Sequence, residues 1–324
     1  MFLKFFNAAK PGILFSLGVI GLVFWISAFF SGCQPPQTVF ALPFYKYIFQ
    51  FTEHFNRLSV ILAFLIVLGQ AYYINYVCVK YDLSRKNSYI TALIYLTLMS
   101  STSELLCMHQ ILICNCFLLP ILHLCLSLYE KRDAFRESFQ IGFLIAIASL
   151  IYYPLTFFLL LIWIAFIIFR LFTWREWFIT LLGLIILYLF VFTYFFWFNK
   201  LGFLFDDLRS VFNSWNPLTK FNTYELIVYL SIAFVLLLSL GYTIIHIGER
   251  IIFVRKMQFV IIWMLLFSGV LSMFAVKGSP VYFSLMSIPA TILISNYFSN
   301  RKKRWFVELL YIVLISEVII LKFT

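Results

Sequence analysis

The chain has 324 residues, 64% of them hydrophobic and 11% charged, with a formal net charge of +11. Soluble domains are about half apolar and a quarter charged, so no water-soluble core accounts for this balance, whose mean hydropathy is +1.00. The basic excess comes with no RNA- or DNA-binding motif; it falls between apolar runs, where it orients a membrane protein.

A helix needs about 20 mostly apolar residues to cross the hydrocarbon. Runs of that kind occur at 13–31, 58–79, 88–105, 106–128, 139–153, 154–172, 177–197, 224–246, 258–276, 281–299 and 305–322. They predict an all-α polytopic transmembrane bundle of about 11 spans, with 9 or 10 as the alternative count. The stretches 32–57 and 198–223 read as outer loops with interfacial segments. Neither can bury a core of its own, so residues 1–324 read as one transmembrane domain. With the N-terminus inside, the inner loops hold 17 of the 24 Lys and Arg residues and the outer loops hold seven. This bias predicts a cytoplasmic (inner) membrane protein with N inside and C outside.

Two regions are less regular. The runs 139–153 and 154–172 are 15 and 19 residues long and join at Tyr153-Pro154, which predicts short, tilted or partly re-entrant spans. The pair at 88–128 has neither Gly nor Pro at its turn, only Ser100, Ser101, Thr102, Ser103 and Glu104, whose hydroxyls suit helix ends. At the N-terminus, Lys4 and Lys10 precede an apolar stretch ending Phe30-Ser31-Gly32-Cys33, which resembles a lipoprotein cleavage site. Phe30 is unsuited to its position and the run is long for a signal, so an uncleaved first span is expected; lipidation of Cys33 is left open.

Four of the six cysteines, Cys107, Cys114, Cys116 and Cys125, fall in one predicted span. There thiols act as small hydrophobes, and no disulfide framework is expected. The same span carries His109, Cys116 and His123 at seven-residue spacing. Seven residues rise about 10.5 Å, whereas a metal needs donors about 2 Å away, so neighbours cannot share one ion. The stripe reads as a polar face hydrogen-bonded to adjacent helices, and Gln70, Asn75 and Asn115 as interhelical groups. No metal site is predicted.

Charges are absent from the middles of the runs, and the outer side is where chemistry could sit. Segment 43–57 is aromatic and ends in Glu53, His54 and Arg57, with Glu53 and Arg57 at a favourable i,i+4 spacing. Segment 201–215 puts Leu204, Leu208, Val211 and Trp215 on one stripe, with Asp206, Asp207 and Arg209 off it, as an interfacial helix does. Glu104 adds a carboxylate between the third and fourth spans. The candidate catalytic residues are therefore Glu53, Asp206, Asp207 and Glu104, with Arg57 and Arg209 as anion binders. A carboxylate could deprotonate an acceptor hydroxyl, and the arginines could hold a lipid phosphate. For each alone, ordinary solvation of an outer-loop charge is the stronger reading.

Tyr152-Tyr153-Pro154, the aromatic span after it, Arg170-Leu-Phe-Thr-Trp-Arg-Glu-Trp177 and Leu182-Gly183 resemble a family of uncharacterised multi-spanning inner-membrane proteins of Bacteroidota. That family carries no established activity. In organisation the chain is also similar to membrane glycosyltransferases that use polyprenyl-phosphate sugars. Those enzymes use an acidic residue in the first outer loop, which the resemblance assigns to Glu53. No Asp-Asp or Glu-x-Asp pair follows the first span, a departure from that pattern. Three functions follow, in order: a transferase acting on a lipid-linked envelope glycan; a non-enzymatic scaffold or assembly factor of an envelope complex; and a carrier or flippase. No cofactor is predicted, a polyprenyl-phosphate-linked substrate is expected for the first, and a divalent metal is left open. The expected partners are the lipid bilayer, a lipid-linked glycan or another envelope membrane protein, and no nucleic acid.

Overall fold

One α-helix stands at each predicted run. The computed structural model describes residues 6, 12–32, 55–84, 88–131, 133–202, 223–273, 280–301 and 304–320. Among them the helices are α1 (Gly12–Ser31), α2 (Asn56–Lys80), α3 (Ile90–Met99), α4 (Gln110–Ser127), α5 (Phe135–Ile151), α6 (Phe158–Phe169), α7 (Trp174–Trp197), α8 (Thr223–His246), α9 (Ile252–Met273), α10 (Ser287–Asn300) and α11 (Arg304–Ile320). No strand occurs among the described residues. Six segments are long and apolar enough to cross a membrane: Asn56–Lys80, Gln110–Ser127, Trp174–Trp197, Thr223–Glu249, Ile252–Met273 and Val281–Asn300. The chain is a helical membrane protein.

Helices α3 and α6 do not reach across. Ten residues in α3 and 12 in α6 rise about 15 and 18 Å, against about 30 Å of hydrocarbon. Tighter turns supply the missing length: 3₁₀ segments at Ser103–Leu106 beyond α3 and Tyr153–Phe157 before α6. A third, Pro280–Met286, leads directly into α10. The soft regions of the sequence are thus interrupted helices.

Helices α3 and α10 form the centre, and every residue of α3 is buried. Helices α7 and α8 are peripheral and present Phe190, Phe196, Trp197, Leu237 and Ile245 outward, as lipid-facing helices do. The closest approach joins α5 and α7. A Cβ on Gly142 would lie 1.9 Å from the Thr180 carbonyl oxygen, and one on Gly183 would lie 2.5 Å from that of Phe139. Two glycines thus let the backbones touch, the usual solution where lipid offers no hydrophobic drive between helices.

The Trp174–Trp177 element belongs to this contact. Glu176 is buried, and its Oε1 accepts from the Ala134 N–H at 3.3 Å, satisfying a backbone donor where α5 begins. Trp177 stacks on Trp163 of α6 at 5.8 Å, and its indole N–H donates to the Leu171 carbonyl at 3.1 Å. The element therefore locks three helices together. Gly142→Leu is expected to lower the melting temperature of the purified protein, at the ~1–3 kcal/mol typical of overpacking. Gly69, with nothing within 4 Å of its Cβ position, is the control: Gly69→Ala should melt at or above wild type.

Candidate functional site at the end opposite the basic residues

Contacts among helix ends divide the bundle into two faces. At one, Lys80 meets His123, Lys256 meets Tyr129, Tyr129 meets Phe169, and Arg301 meets Tyr242; this is the basic end. The 3₁₀ segments Leu128–Glu130 and Ile247–Glu249 follow α4 and α8 at this basic end, whereas Ser103–Leu106, Tyr153–Phe157 and Pro280–Met286 gather at the other. There Tyr152 and Tyr282 lie 5.3 Å apart, Gln110 donates to the Ile151 carbonyl, and the Tyr152 hydroxyl donates to the Leu271 carbonyl at 2.9 Å.

Four consecutive hydroxyl residues, Ser100 to Ser103, end α3. Such side chains offer the backbone alternatives to the helical ladder, and Thr102 is already extended (φ −130°, ψ 159°). The Trp25 indole N–H donates to Ser100 Oγ at 3.0 Å, tying α1 to the turn. One 3₁₀ turn then carries Glu104, half-buried, before the chain extends again through Cys107 (φ −96°, ψ 163°) and His109 (φ −123°, ψ 161°) into α4.

Where α3 stops short, a cavity of about 330 Å³ opens between α3, α8 and α10. Its wall on α8 is the stripe Leu226, Tyr229, Leu230, Ala233 and Leu236, and Leu98, Leu105, Phe283 and Ala290 close the other sides. The volume lies in the range of small-molecule sites. Tyr229 joins the apolar lining to a polar rim: the Thr102 side chain and the charges of Glu104 and Glu225 are within electrostatic reach of its phenol. Beneath the groove, Ser284 and Ser287 of the lining accept from Asn115 Nδ2 at 3.4 Å each, through the Ser284 carbonyl and the Ser287 hydroxyl. Deeper still, Tyr95 donates to Gln70 Oε1 at 2.7 Å, and Gln70 Nε2 donates to the Leu112 carbonyl at 2.9 Å. An apolar groove thus stands on a hydrogen-bonded polar floor.

Of the sequence-derived candidates, Glu104 sits at the groove's rim and Arg57 is exposed in the first turn of α2. Glu53, Asp206, Asp207 and Arg209 lie outside the described residues. Tyr229 and Glu225 are additional. Their signal was the 3–4-residue spacing from Glu225 to Leu236, which a span that is apolar all round conceals. Of the His109, Cys116 and His123 stripe, Cys116 and His123 bond to α2, whereas His109 precedes α4 and bonds within its own turn. The His109 ring donates from Nδ1 to the Cys107 carbonyl at 2.9 Å, Cys116 Sγ takes Gln70 Nε2 at 3.1 Å, and His123 meets Tyr73 at 2.7 Å.

One expectation is corrected. Cys107 is disulfide-bonded, whereas Cys78, Cys114, Cys116 and Cys125 are free. By hydropathy the run 106–128 is one span with Cys107 inside it; the helix begins only at Gln110, so Cys107 belongs to the turn that follows Glu104.

A family model matches residues 20–324. The chain belongs to the family of unknown function DUF6427. The match covers the α5–α7 glycine contact, the Glu176 cap and the groove, all within this DUF6427 chain's matched range. No curated protein and no solved structure matches it.

Because the disulfide borders the rim, Cys107→Ser should lower the melting temperature, at the ~2–5 kcal/mol of a lost native bridge. Alkylation of denatured protein should leave Cys107 unmodified without reductant and modified with it, read by peptide mass.

Proposed function

We propose that the groove takes the hydrocarbon tail of a lipid-linked substrate and that the chain is a transferase acting on it at the outer face. The carrying observation is an apolar groove of about 330 Å³ with the carboxylates of Glu104 and Glu225 at its rim. A tail in the groove would bring the tail's polar head to that rim. Glu104 then serves as general base. It takes the proton of an acceptor hydroxyl, the acceptor oxygen bonds to the sugar C1, the C1–O bond to phosphate breaks, and the polyprenyl phosphate leaves. The polar group of Arg57 lies at the same end of the bundle, as a phosphate ligand would require. Orientation is supported from two sides. Basic ends face the cytoplasm, and a disulfide at the opposite end suits an oxidising compartment.

The test uses a polyprenyl phosphate carrying a diazirine in its tail. Photolabelling should fall on the peptide bearing Leu226–Leu236 and be suppressed by Ala233→Trp, which fills the groove. With the lipid-linked sugar as donor, Glu104→Gln should cut transfer by about 10²–10⁴, the usual worth of a general base, while labelling persists. Labelling spread evenly over the lipid-facing helices would remove the groove from the reading. Transfer unchanged in Glu104→Gln would remove the base. The interrupted helices α3 and α6 favour a carrier as the second reading, since carriers use broken helices around their sites. Movement of the labelled lipid across proteoliposomes without covalent change would select it.

A further inference from the structure

The six cysteines fall into two sets. Cys78, Cys114, Cys116 and Cys125 are free and Cys107 is disulfide-bonded. Cys33 is the one that remains, and it lies outside the described residues. A bond from Cys107 to a second copy of the chain would need its sulfur at the surface. Cys107 is instead buried, with Leu105 and Leu106 buried beside it. The free set also sorts by place: Cys78 and Cys125 are near Lys80 and His123 at the basic end, and Cys114 and Cys116 are within α4. Only the end opposite the basic residues carries an oxidised thiol, as a boundary between a reducing and an oxidising compartment requires.

The packing of α1 carries the chain to the same place. Helices α1 and α3 run side by side in one direction. At the basic end the Tyr89 N–H donates to the Phe6 carbonyl at 2.9 Å, and at the other end the Trp25 indole N–H donates to Ser100 Oγ at 3.0 Å. Helix α1 also touches the 3₁₀ turn Ser103–Leu106, the turn that leads into Cys107. Trp25 and Ser100 are 75 positions apart, and Cys33 and Cys107 are 74 apart. The two cysteines thus keep nearly the offset of a pair already in contact. Gly32, one peptide unit or ~3.8 Å before Cys33, ends α1 with a left-handed φ of 70°. A Cβ there would lie 3.0 Å from Asn56 Nδ2, so the end of α1 is held against the start of α2. A disulfide needs its two Cα atoms within ~7 Å, and these contacts bring the backbone before Cys33 to the side of the Cys107 turn.

We propose that Cys33 and Cys107 form one intramolecular disulfide, closed by exchange with the disulfide of an oxidoreductase in the compartment that this end faces. The two thiols give up two protons and two electrons, the S–S bond forms between them, and the enzyme's disulfide becomes a dithiol. Glu104 stands three residues before Cys107. The bridge therefore ties the turn that carries Glu104 to the end of α1 covalently, beside the Trp25 bond to Ser100. It also decides the fate of the Phe30-Ser31-Gly32-Cys33 stretch. A sulfur held in a disulfide cannot carry the thioether of a lipid anchor, so the chain is not cut before Cys33 and α1 stays attached to the bundle. Neither consequence depends on how the groove is used.

The experiment alkylates purified full-length protein while denatured and without reductant, digests it and maps the peptides by mass. Wild type should yield one linked pair, the peptide of Cys33 joined to that of Cys107 at their summed mass less two hydrogens, and reductant should separate it. Alkylated cysteines should number four per chain, the free set. Cys33→Ser should raise that number to five by releasing Cys107. If Cys33→Ser does not accumulate, the linked pair from wild type decides alone. Cys33 alkylated without reductant overturns the proposal, and so does Cys33 carrying a lipid. A Cys107 peptide linked to a second Cys107 peptide, with a reductant-sensitive dimer on a denaturing gel, overturns it as well.

Discussion

A ten-residue helix cannot cross a membrane, and α3 is such a helix, buried on every side at the centre of the bundle. Its ladder of hydrogen bonds ends at Ser100. Beyond it each backbone donor and acceptor must find a partner in the protein, since lipid supplies none. The 3₁₀ turn at Ser103–Leu106, the Trp25 bond to Ser100 and the extended residues around Cys107 are the answer the chain adopts. Irregular backbone is tolerated at this depth only where protein or a cavity lines it. Both are present here, and the cavity is the groove between α3, α8 and α10. The early end of α3 thus gives Glu104 its position and the groove its space.

The polar residues behind the groove follow from the same constraint. Gln70 with Tyr95 and Asn115 with Ser287 form a set of bonds that joins α2 to α3 and α4 and joins α4 to α10. Each bond is worth about 0.6–2 kcal/mol between membrane helices, comparable to what one well-packed apolar side chain contributes. Their larger effect is on register. A helix sliding by one turn would break every member of the set at once, while leaving apolar contacts nearly unchanged. Glycines do the same for the outer pair: Gly142 and Gly183 admit only the registry in which each faces a carbonyl of the other helix. Specific contacts of this kind are needed where apolar surface is equally content against lipid.

Most of the architecture was legible in the sequence. Apolar runs bounded by charge identify eleven helices because the bilayer demands unbroken apolar length, and all eleven are present among the described residues. Where helices stop was less legible. Hydropathy does not register the difference between an α-turn and a 3₁₀ turn, so 88–105 reads as one span although its helix ends at Met99. The physical signal was the hydroxyl run from Ser100 to Ser103, read as a cap when it marks an interruption. The site divides in the same way. Glu104 stands out as a carboxylate between spans. Tyr229 and Glu225 do not, because a stripe of groove-lining residues is invisible against a helix whose other faces are equally apolar. Cys107 depends on the same boundary: with α4 starting at Gln110, it lies in the turn before the helix and is no membrane thiol.

The two ends of the bundle treat charge in opposite ways, and the contrast bears on what each can bind. At the basic end, aromatic rings hold cations at 5–6 Å. Ring faces leave most of the charge available to a mobile anion, whereas a carboxylate would consume it. At the other end, Glu104 and Glu225 stand beside a phenol and an apolar wall. The first arrangement suits reversible contact with an anionic surface. The second sets a half-buried carboxylate beside an apolar wall, and it is that wall, more than the carboxylate itself, that separates Glu104 from an ordinary solvated loop residue.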